Sequence, residues 1–456
     1  MRAFWHTNGM RRFVSAVLLS IAMLVTAHGL AAQDPPKDAT PQAKAFIEML
    51  QNGEFAKAQT LFTEPMKAAL PEDKLKATWA ALAMQAGAFK QQRNARMEVV
   101  GNMRRVTVTC EFERAVLDLV VAYNPADLIG GFNVRPYTPP APPWTAPAYA
   151  DATKYTETDV TVGGPEWPLP GTLTMPNGPG SFAAVVLVHG SGPNDRDETL
   201  GPNKTFKDLA LGLASQGVAV LRYEKRTKVF GAKLATIASF TVKEESIDDA
   251  LLAVALLRKT PKINSARIVV IGHSLGGMLI PRIGAADPKL AGLIAMAGAA
   301  RSLDQAMLDQ TRYLVLADGR VTPEEEKAVQ GMEALVKSVA ALTPADAANP
   351  KSIQGAPASY WLDLRGYQPA VAAKSLKQRL LVLQGERDYQ VTMADDFAKW
   401  KAALDGRKSV TFHTYPALNH LFMPGTGKSL PAEYDTPGHV PVDVITDIAA
   451  WIASLK

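Results

Sequence analysis

The sequence predicts an α/β protein, a mostly parallel β-sheet covered by helices on both faces, behind a small α+β domain. Three observations predict this. Short, continuously apolar runs alternate with helical patterns from about residue 155 onward, helical spacing gives way to strand-like spacing before residue 124, and a proline-rich stretch separates the two regions.

Residues 1–32 read as a secretory signal peptide. Arg11 and Arg12 precede an apolar run at 13–27, and the small residues Gly29, Ala31 and Ala32 suit a signal peptidase. The run is shorter than the ~20 apolar residues of a spanning helix. Cleavage is therefore expected in place of anchoring, with no stable membrane insertion afterwards and a mature protein that is periplasmic or secreted. No cysteine follows the run, which argues against a lipid anchor. Cys110 is the only cysteine of the chain. It cannot form an internal disulfide, so the exported fold must rest on its core alone. Its strand-like setting reads as packing and not as reactivity.

The small α+β domain is placed at 38–135. Ala45, Phe46, Met49 and Leu50, then Phe55, Ala58, Leu61 and Phe62, fall at helical spacing. Strand-like runs follow at 97–100, 106–112 and 115–121. The layout resembles the cone-shaped, nuclear-transport-factor-like domains that precede some bacterial hydrolases. Residues 136–150 hold Pro136, Pro139, Pro140, Pro142, Pro143 and Pro147. Such a run disfavours helix and interior strand, so it is expected to act as an extended linker.

The second domain is placed at 151–456. Residues 185–188, 218–221, 268–271, 293–296 and 380–383 are apolar runs of the kind a strand buried on both sides requires. Helical patterns at 206–215, 247–257, 275–285, 397–404 and 442–455 lie between and after them. At about 301–370 the alternation stops. This stretch, helical and polar around Pro323 and loop-like around Tyr360, Trp361, Leu364 and Tyr367, follows the sixth strand expected of such a sheet and reads as a cap. Its aromatic residues either line a pocket or form the cap's own core.

At 456 residues, 47% hydrophobic and 20% charged, the chain has room for a large buried core. The formal charge of +5 includes Arg2, Arg11 and Arg12, and falls to +2 once the leader is removed. No run of lysine and arginine suited to a phosphate backbone is present, which excludes nucleic acid as an expected partner.

The chemistry is expected at Gly272-His273-Ser274-Leu275-Gly276, a G-x-S-x-G pentapeptide set between an apolar run and a helical pattern. That context makes it a strained strand-to-helix turn, with glycines where side chains would collide and the serine at a helix start. A serine hydroxyl needs a base to become a nucleophile. On such a sheet the acid and the histidine follow in loops after later strands. Asp388 stands in the loop after 380–383, with Glu386 as competitor, and His420 in the loop before the last helix. His413 reads as a strand residue, His439 as too far into the loop, and His273 as part of the turn itself. Two amides are expected to hold the oxyanion: the N–H of Leu275 and that of Ser191 in the His189-Gly-Ser-Gly loop, with Gly192 as the alternative donor. Asp195, Arg196 and Asp197 serve either to hold that loop or as a surface charge cluster.

Together the His189-Gly-Ser-Gly, Gly-His-Ser-Leu-Gly, Gly385-Glu-Arg-Asp388 and Asn419-His-Leu-Phe segments resemble the bacterial α/β-hydrolase esterases over residues 151–456. The resemblance implies a carboxylesterase acting on a small-molecule or acylated substrate, without cofactor or metal. Tyr223 and the Glu224-Lys225-Arg226 segment fit the same pattern and are read as structural. A peptidase or amidase, an acyltransferase and a non-catalytic binding protein on the same scaffold are the competing readings. The apolar helical face of the amino-terminal domain makes it the candidate surface for a homodimer.

Overall fold

The computed structural model describes residues 37–100, 103–137, 143–348 and 352–455. The expected signal peptide and residues 138–142 of the proline-rich stretch lie outside the described residues. The chain divides into two compact units with a break near residue 140.

In the first unit, Thr40–Gln51 (α1), Phe55–Thr60 (α2), Glu64–Ala69 (α3) and Glu72–Ala86 (α4) precede four strands. These are Phe89–Val100 (β1), Met103–Phe112 (β2), Val116–Tyr123 (β3) and Ile129–Pro136 (β4), antiparallel in that order. The periodicity of α1 turns Ala43, Phe46, Ile47 and Leu50 inward. They meet Val106, Val108, Cys110 and Phe112, the alternate residues of β2 that face the same side. Burial, with the Asp118 charge adding to it, pushes the Cys110 thiol up to about 12, so no thiolate forms there at neutral pH. Strand β4 escapes a reading of composition because Gly130 and Gly131 interrupt it and leave only Phe132 and Val134 as alternating apolar residues before Pro136. It exists through its ladder with β3, and as an edge strand it accommodates Pro136 at its end.

The second unit is built on eight strands: Tyr155–Val162 (β5), Leu169–Pro176 (β6), Phe182–Val188 (β7), Val218–Tyr223 (β8), Ile263–His273 (β9), Gly292–Met296 (β10), Arg379–Gly385 (β11) and Val410–Tyr415 (β12). Their order across the sheet is β12-β11-β10-β9-β7-β8-β6-β5. The ladders from β12 to β8 are parallel, and only β6 runs against its neighbours. Alternate residues feed two cores: Ala184, Val186 and Val188 of β7 enter one, Ala183, Val185 and Leu187 the other. This is why the central strands are apolar at every position. Strands β5 and β6 were not legible in this way, because β5 lies at the sheet edge and most of its residues are exposed.

The covering helices are Thr205–Ser215 (α5), Arg226–Leu234 (α6), Asp248–Lys259 (α7), Leu275–Ala286 (α8), Ala398–Leu404 (α13) and Val442–Ala453 (α14), with α9–α12 in the insertion between β10 and β11. There Leu303–Val315 (α9) and Pro323–Ala340 (α10) are followed by Ala358–Leu364 (α11) and Pro369–Ala372 (α12). The stretch expected to be loop-like around Tyr360 is thus helix α11. Pro357 begins it in extended geometry, and burial of Tyr360, Trp361 and Leu364 holds so short a helix in place. Trp361 joins Leu335, Val339 and Leu342 in a core belonging to the insertion, whereas Tyr360 enters the core of the main sheet. The segment after the described break is tied down, with Trp144 Nε1 donating to Asp208 at 3.2 Å and Tyr149 Oη to the Val440 carbonyl at 2.7 Å.

Candidate active site

Parallel strands deliver their following loops to one edge, and four such loops converge here. Strand β9 ends at His273 and α8 begins at Leu275, leaving Ser274 alone in the turn with φ 53° and ψ −115°. A non-glycine residue in that region is strained and needs its surroundings to hold it. The Ser274 amide donates to the Met296 carbonyl at 3.0 Å, and its carbonyl accepts from Met278 at 2.9 Å. The flanking glycines are obligatory: a Cβ on Gly276 would lie 2.2 Å from the Val188 carbonyl oxygen, and one on Gly272 2.2 Å from that of Gly276. The elbow is therefore pressed against the end of β7.

The loop after β11 carries Asp388, whose side chain is buried. Its Oδ2 lies 2.7 Å from His420 Nδ1, while Oδ1 accepts from the amides of Gln390 and Val391 at 2.8 and 2.9 Å. Gln384 Nε2 adds a contact to Oδ2 at 3.2 Å. Asp388 thus fixes the His420 ring and leaves Nε2 as its free nitrogen. The His420 loop is set in turn by Asn419, which accepts from the Leu421 and Met423 amides and donates to Glu433 at 3.1 Å. Ser274 Oγ and His420 form no hydrogen bond with each other, so proton transfer between them requires the two side chains to draw closer.

The competing residues lie elsewhere. Glu386 accepts from Thr414 Oγ1 at 2.7 Å, His413 sits half exposed on the edge strand 3.5 Å from Asp447, and His439 pairs with Asp208 at 3.1 Å. Among the described residues no group of three or more His, Cys, Asp or Glu side chains is placed to hold a metal ion.

Gly190, in the loop after β7, approaches the nucleophile so closely that a Cβ there would be 3.6 Å from Ser274 Oγ. Neither the Ser191 nor the Leu275 amide donates to an acceptor among the described residues; Leu275 directly follows the serine, and Ser191 directly follows Gly190. Gly192, with φ +90°, is exposed in the same loop. The charged residues that follow do hold this loop. Asp195 accepts from the amides of Asp197 and Thr199, Arg196 bridges Glu224 at 2.8 Å and the β6 residues Gly171 and Thr172, and Asp197 pairs with Arg222 and with Lys204 at 2.8 Å. Burial pushes His189 down to about 4, so its neutral ring donates from Nε2 to the Asp195 carbonyl at 3.0 Å.

Two further residues connect these loops. Glu198, buried with φ 50°, accepts from the Gly190 amide at 2.7 Å through Oε1 and places Oε2 3.0 Å from His273 Nδ1. The other His273 nitrogen is 2.9 Å from the His420 carbonyl oxygen. Nε2 thus has a hydrogen-bond partner, whereas Nδ1 and Glu198 Oε2 approach at ion-pair distance without hydrogen-bond alignment, so the carboxylate acts on the ring through its charge. Burial opposes protonation of the ring, but Glu198, the His420 carbonyl and Asp388 outweigh it and raise the His273 pKa. Burial likewise opposes the Glu198 charge, and His273 with the Gly190 amide outweighs it, keeping the carboxyl below its ordinary range. One buried ion pair thus spans the Gly190 loop, the elbow and the His420 loop.

Glu198 was invisible in the sequence, where it is one more acid in a polar loop, and His273 was read as structural only. Replacing Glu198 with alanine removes one partner of a buried pair and is expected to lower stability by roughly 3–5 kcal/mol. The raised His273 pKa contributes stability below its ordinary 6.5 that is lost as pH rises through the folded value. The depressed Glu198 pKa contributes above its ordinary 4.5 and is lost as pH falls. The difference between wild type and variant is therefore expected to peak between these two values in urea titrations. A difference independent of pH would contradict the ion pair.

Comparison with known proteins gives the family. A model of the alpha/beta hydrolase family matches residues 185–436, and one for a protein family of unknown function, DUF3887, matches residues 43–132. Esterase EstD of Thermotoga maritima is 38% identical over 411 residues, covering 90% of this chain and 94% of that protein. Among solved structures, Est1E from Butyrivibrio proteoclasticus aligns with 65% of this chain and 97% of its own, at 16% identity and a TM-score of 0.39. A Pyrococcus furiosus esterase aligns with 70% of this chain and 99% of its own, at 16% identity and a TM-score of 0.39. With the family model spanning more than half of its length and a relative of this identity matched nearly end to end, the chain belongs to the alpha/beta hydrolase family and is a hydrolytic enzyme.

Proposed function

We propose that this enzyme cleaves carboxylic esters through a Ser274–His420–Asp388 triad and an acyl-enzyme intermediate. The observation that carries the reading is the 2.7 Å contact between Asp388 Oδ2 and His420 Nδ1, in the loops after β11 and β12, whose strands run parallel to β9 and so end at the same sheet edge as the strained Ser274 turn. His420 Nε2 takes the Ser274 proton as Oγ attacks the ester carbonyl. The oxyanion rests on the Ser191 and Leu275 amides, and the alcohol leaves with the proton returned by His420. Water then repeats the sequence on the acyl-enzyme. The name of the Thermotoga relative favours esters over amides.

A fluorophosphonate probe tests the nucleophile, since only an activated serine reacts. One adduct per chain on the peptide bearing Ser274 is expected; an unlabelled enzyme that still turns over esters would overturn the assignment. Aryl esters of graded acyl length, assayed beside aminoacyl arylamides and with an alcohol acceptor, are expected to be the preferred substrates, with water as the acyl acceptor.

Export through residues 1–32 is part of the same proposal. Mass spectrometry of the protein from periplasm or medium is expected to find an amino terminus shortly after Ala32, and an intact Met1 there would refute it. The apolar helical face on which a homodimer was expected packs into the amino-terminal unit's own core, where Phe46, Leu50, Ala58 and Phe62 are all buried, so no dimer is proposed from it.

A further inference from the structure

Lys225 is a buried cation with an unusual target. It follows β8, is only 2% exposed, and donates from Nζ to the Gly190 carbonyl oxygen at 2.7 Å. Asn194 Nδ2 is the second donor to that oxygen, at 3.2 Å. The ammonium is balanced by Glu245, whose Oε1 lies 3.0 Å away. The other Glu245 oxygen accepts from Tyr360 Oη at 2.8 Å, and Tyr360 belongs to α11 of the insertion. Burial, with Glu245 adding to it, raises the Tyr360 phenol well above its ordinary range, so it remains the donor. On the other side of Gly190, its amide is held by Glu198 at 2.7 Å.

Burying an ammonium and a carboxylate is costly, and an apolar pair of similar volume would serve packing at least as well. What the cation does that an apolar side chain cannot is grip one particular peptide. A peptide group is planar, so the Gly190 carbonyl and the Ser191 N–H point in opposite directions. A positive charge fixed at the carbonyl oxygen sets the direction of the N–H. It also draws electron density from the amide nitrogen, which makes the N–H a stronger donor.

We propose that Lys225 is a positioning residue of the oxyanion hole: it orients and polarises the Gly190–Ser191 peptide, and the Glu245–Tyr360 pair links that setting to the insertion. The proposal rests on the reading of the Ser191 N–H as an oxyanion donor. Stabilisation gained this way is realised only once the carbonyl oxygen becomes an oxyanion, so it belongs to the transition state and not to ground-state binding.

The test compares wild type with Lys225→Met and with the double variant Lys225→Met/Glu245→Leu, which leaves no charge unpaired. Labelling of wild-type Ser274 by fluorophosphonate comes first, since its failure would defeat the esterase reading and not the role of Lys225. In variants whose thermal unfolding shows them folded, kcat for an aryl ester is expected to fall by about 10- to 100-fold with KM within twofold, less than outright loss of an oxyanion donor. Affinity for a boronic acid, which forms a tetrahedral adduct on the serine, is expected to fall by a similar factor, while affinity for the carboxylate product stays unchanged. Tyr360→Phe is expected to show the same pattern at smaller amplitude. A folded double variant with wild-type kcat and boronate affinity would overturn the proposal, as would equal losses for boronate and product. A Tyr360→Phe enzyme indistinguishable from wild type would remove the link to the insertion.

Discussion

Replacement of Ser274 by alanine is expected to lower kcat for ester hydrolysis by about 10⁶-fold, since loss of the nucleophile removes the function of the whole triad at once. The residual rate should remain above that of water, because the oxyanion donors and substrate binding are untouched. Folding should be little affected. Ser274 is partly exposed, its side chain makes no hydrogen bond, and the turn around it is enforced by the close approach of Gly272 and Gly276 to neighbouring backbone. The φ of 53° is no easier for alanine than for serine, so any change in thermal unfolding should be small. Turnover of an aryl ester by the purified variant decides the matter: activity within tenfold of wild type would show that another residue attacks.

The second large effect is expected for Asp388→Asn, at about 10⁴-fold in kcat. The physical reason lies in which atoms the carboxylate serves. Its Oδ1 accepts from two backbone amides, so the asparagine oxygen is drawn to that side and its NH₂ is turned toward His420 Nδ1. A donor there forces Nδ1 to accept, which moves the ring proton to Nε2, the nitrogen that must be unprotonated to act as base. The same NH₂ meets a second donor in Gln384 Nε2. Glu386→Gln, two residues away but bonded to Thr414 outside the site, is expected to leave kcat unchanged. Labelling of Ser274 by a fluorophosphonate should slow in parallel with turnover in Asp388→Asn. If Glu386→Gln proves the more damaging of the two, the acid has been misassigned.

Much of this architecture was legible from local pattern. A strand buried on both faces has no choice but to be apolar throughout, so residues 185–188, 268–271 and 380–383 announced the centre of the sheet. The polar edge strand β5 and the glycine-bearing β4 left no such trace, because their pairing depends on a neighbour and not on their own alternation. Helix α11 was missed for a related reason: seven residues are too few to be helical by propensity, and only burial against two cores holds them. Asp388 and His420 were readable as residues at expected strand ends, but the 2.7 Å contact between them depends on how the two loops bend.

By itself the sequence determined the class of the fold, the position of the elbow and the residue types that follow it, because each depends on neighbours within a few positions. A glycine that would collide with backbone, or a serine trapped between a strand and a helix, is a local fact. Tertiary structure alone decided which charged residues are buried and what they grip. Lys225 reaches the Gly190 carbonyl 35 positions away and Tyr360 reaches Glu245 across 115, contacts that bring distant segments together. In sequence a lysine or glutamate looks solvated, since the cost of burying it is offset only by partners that folding supplies.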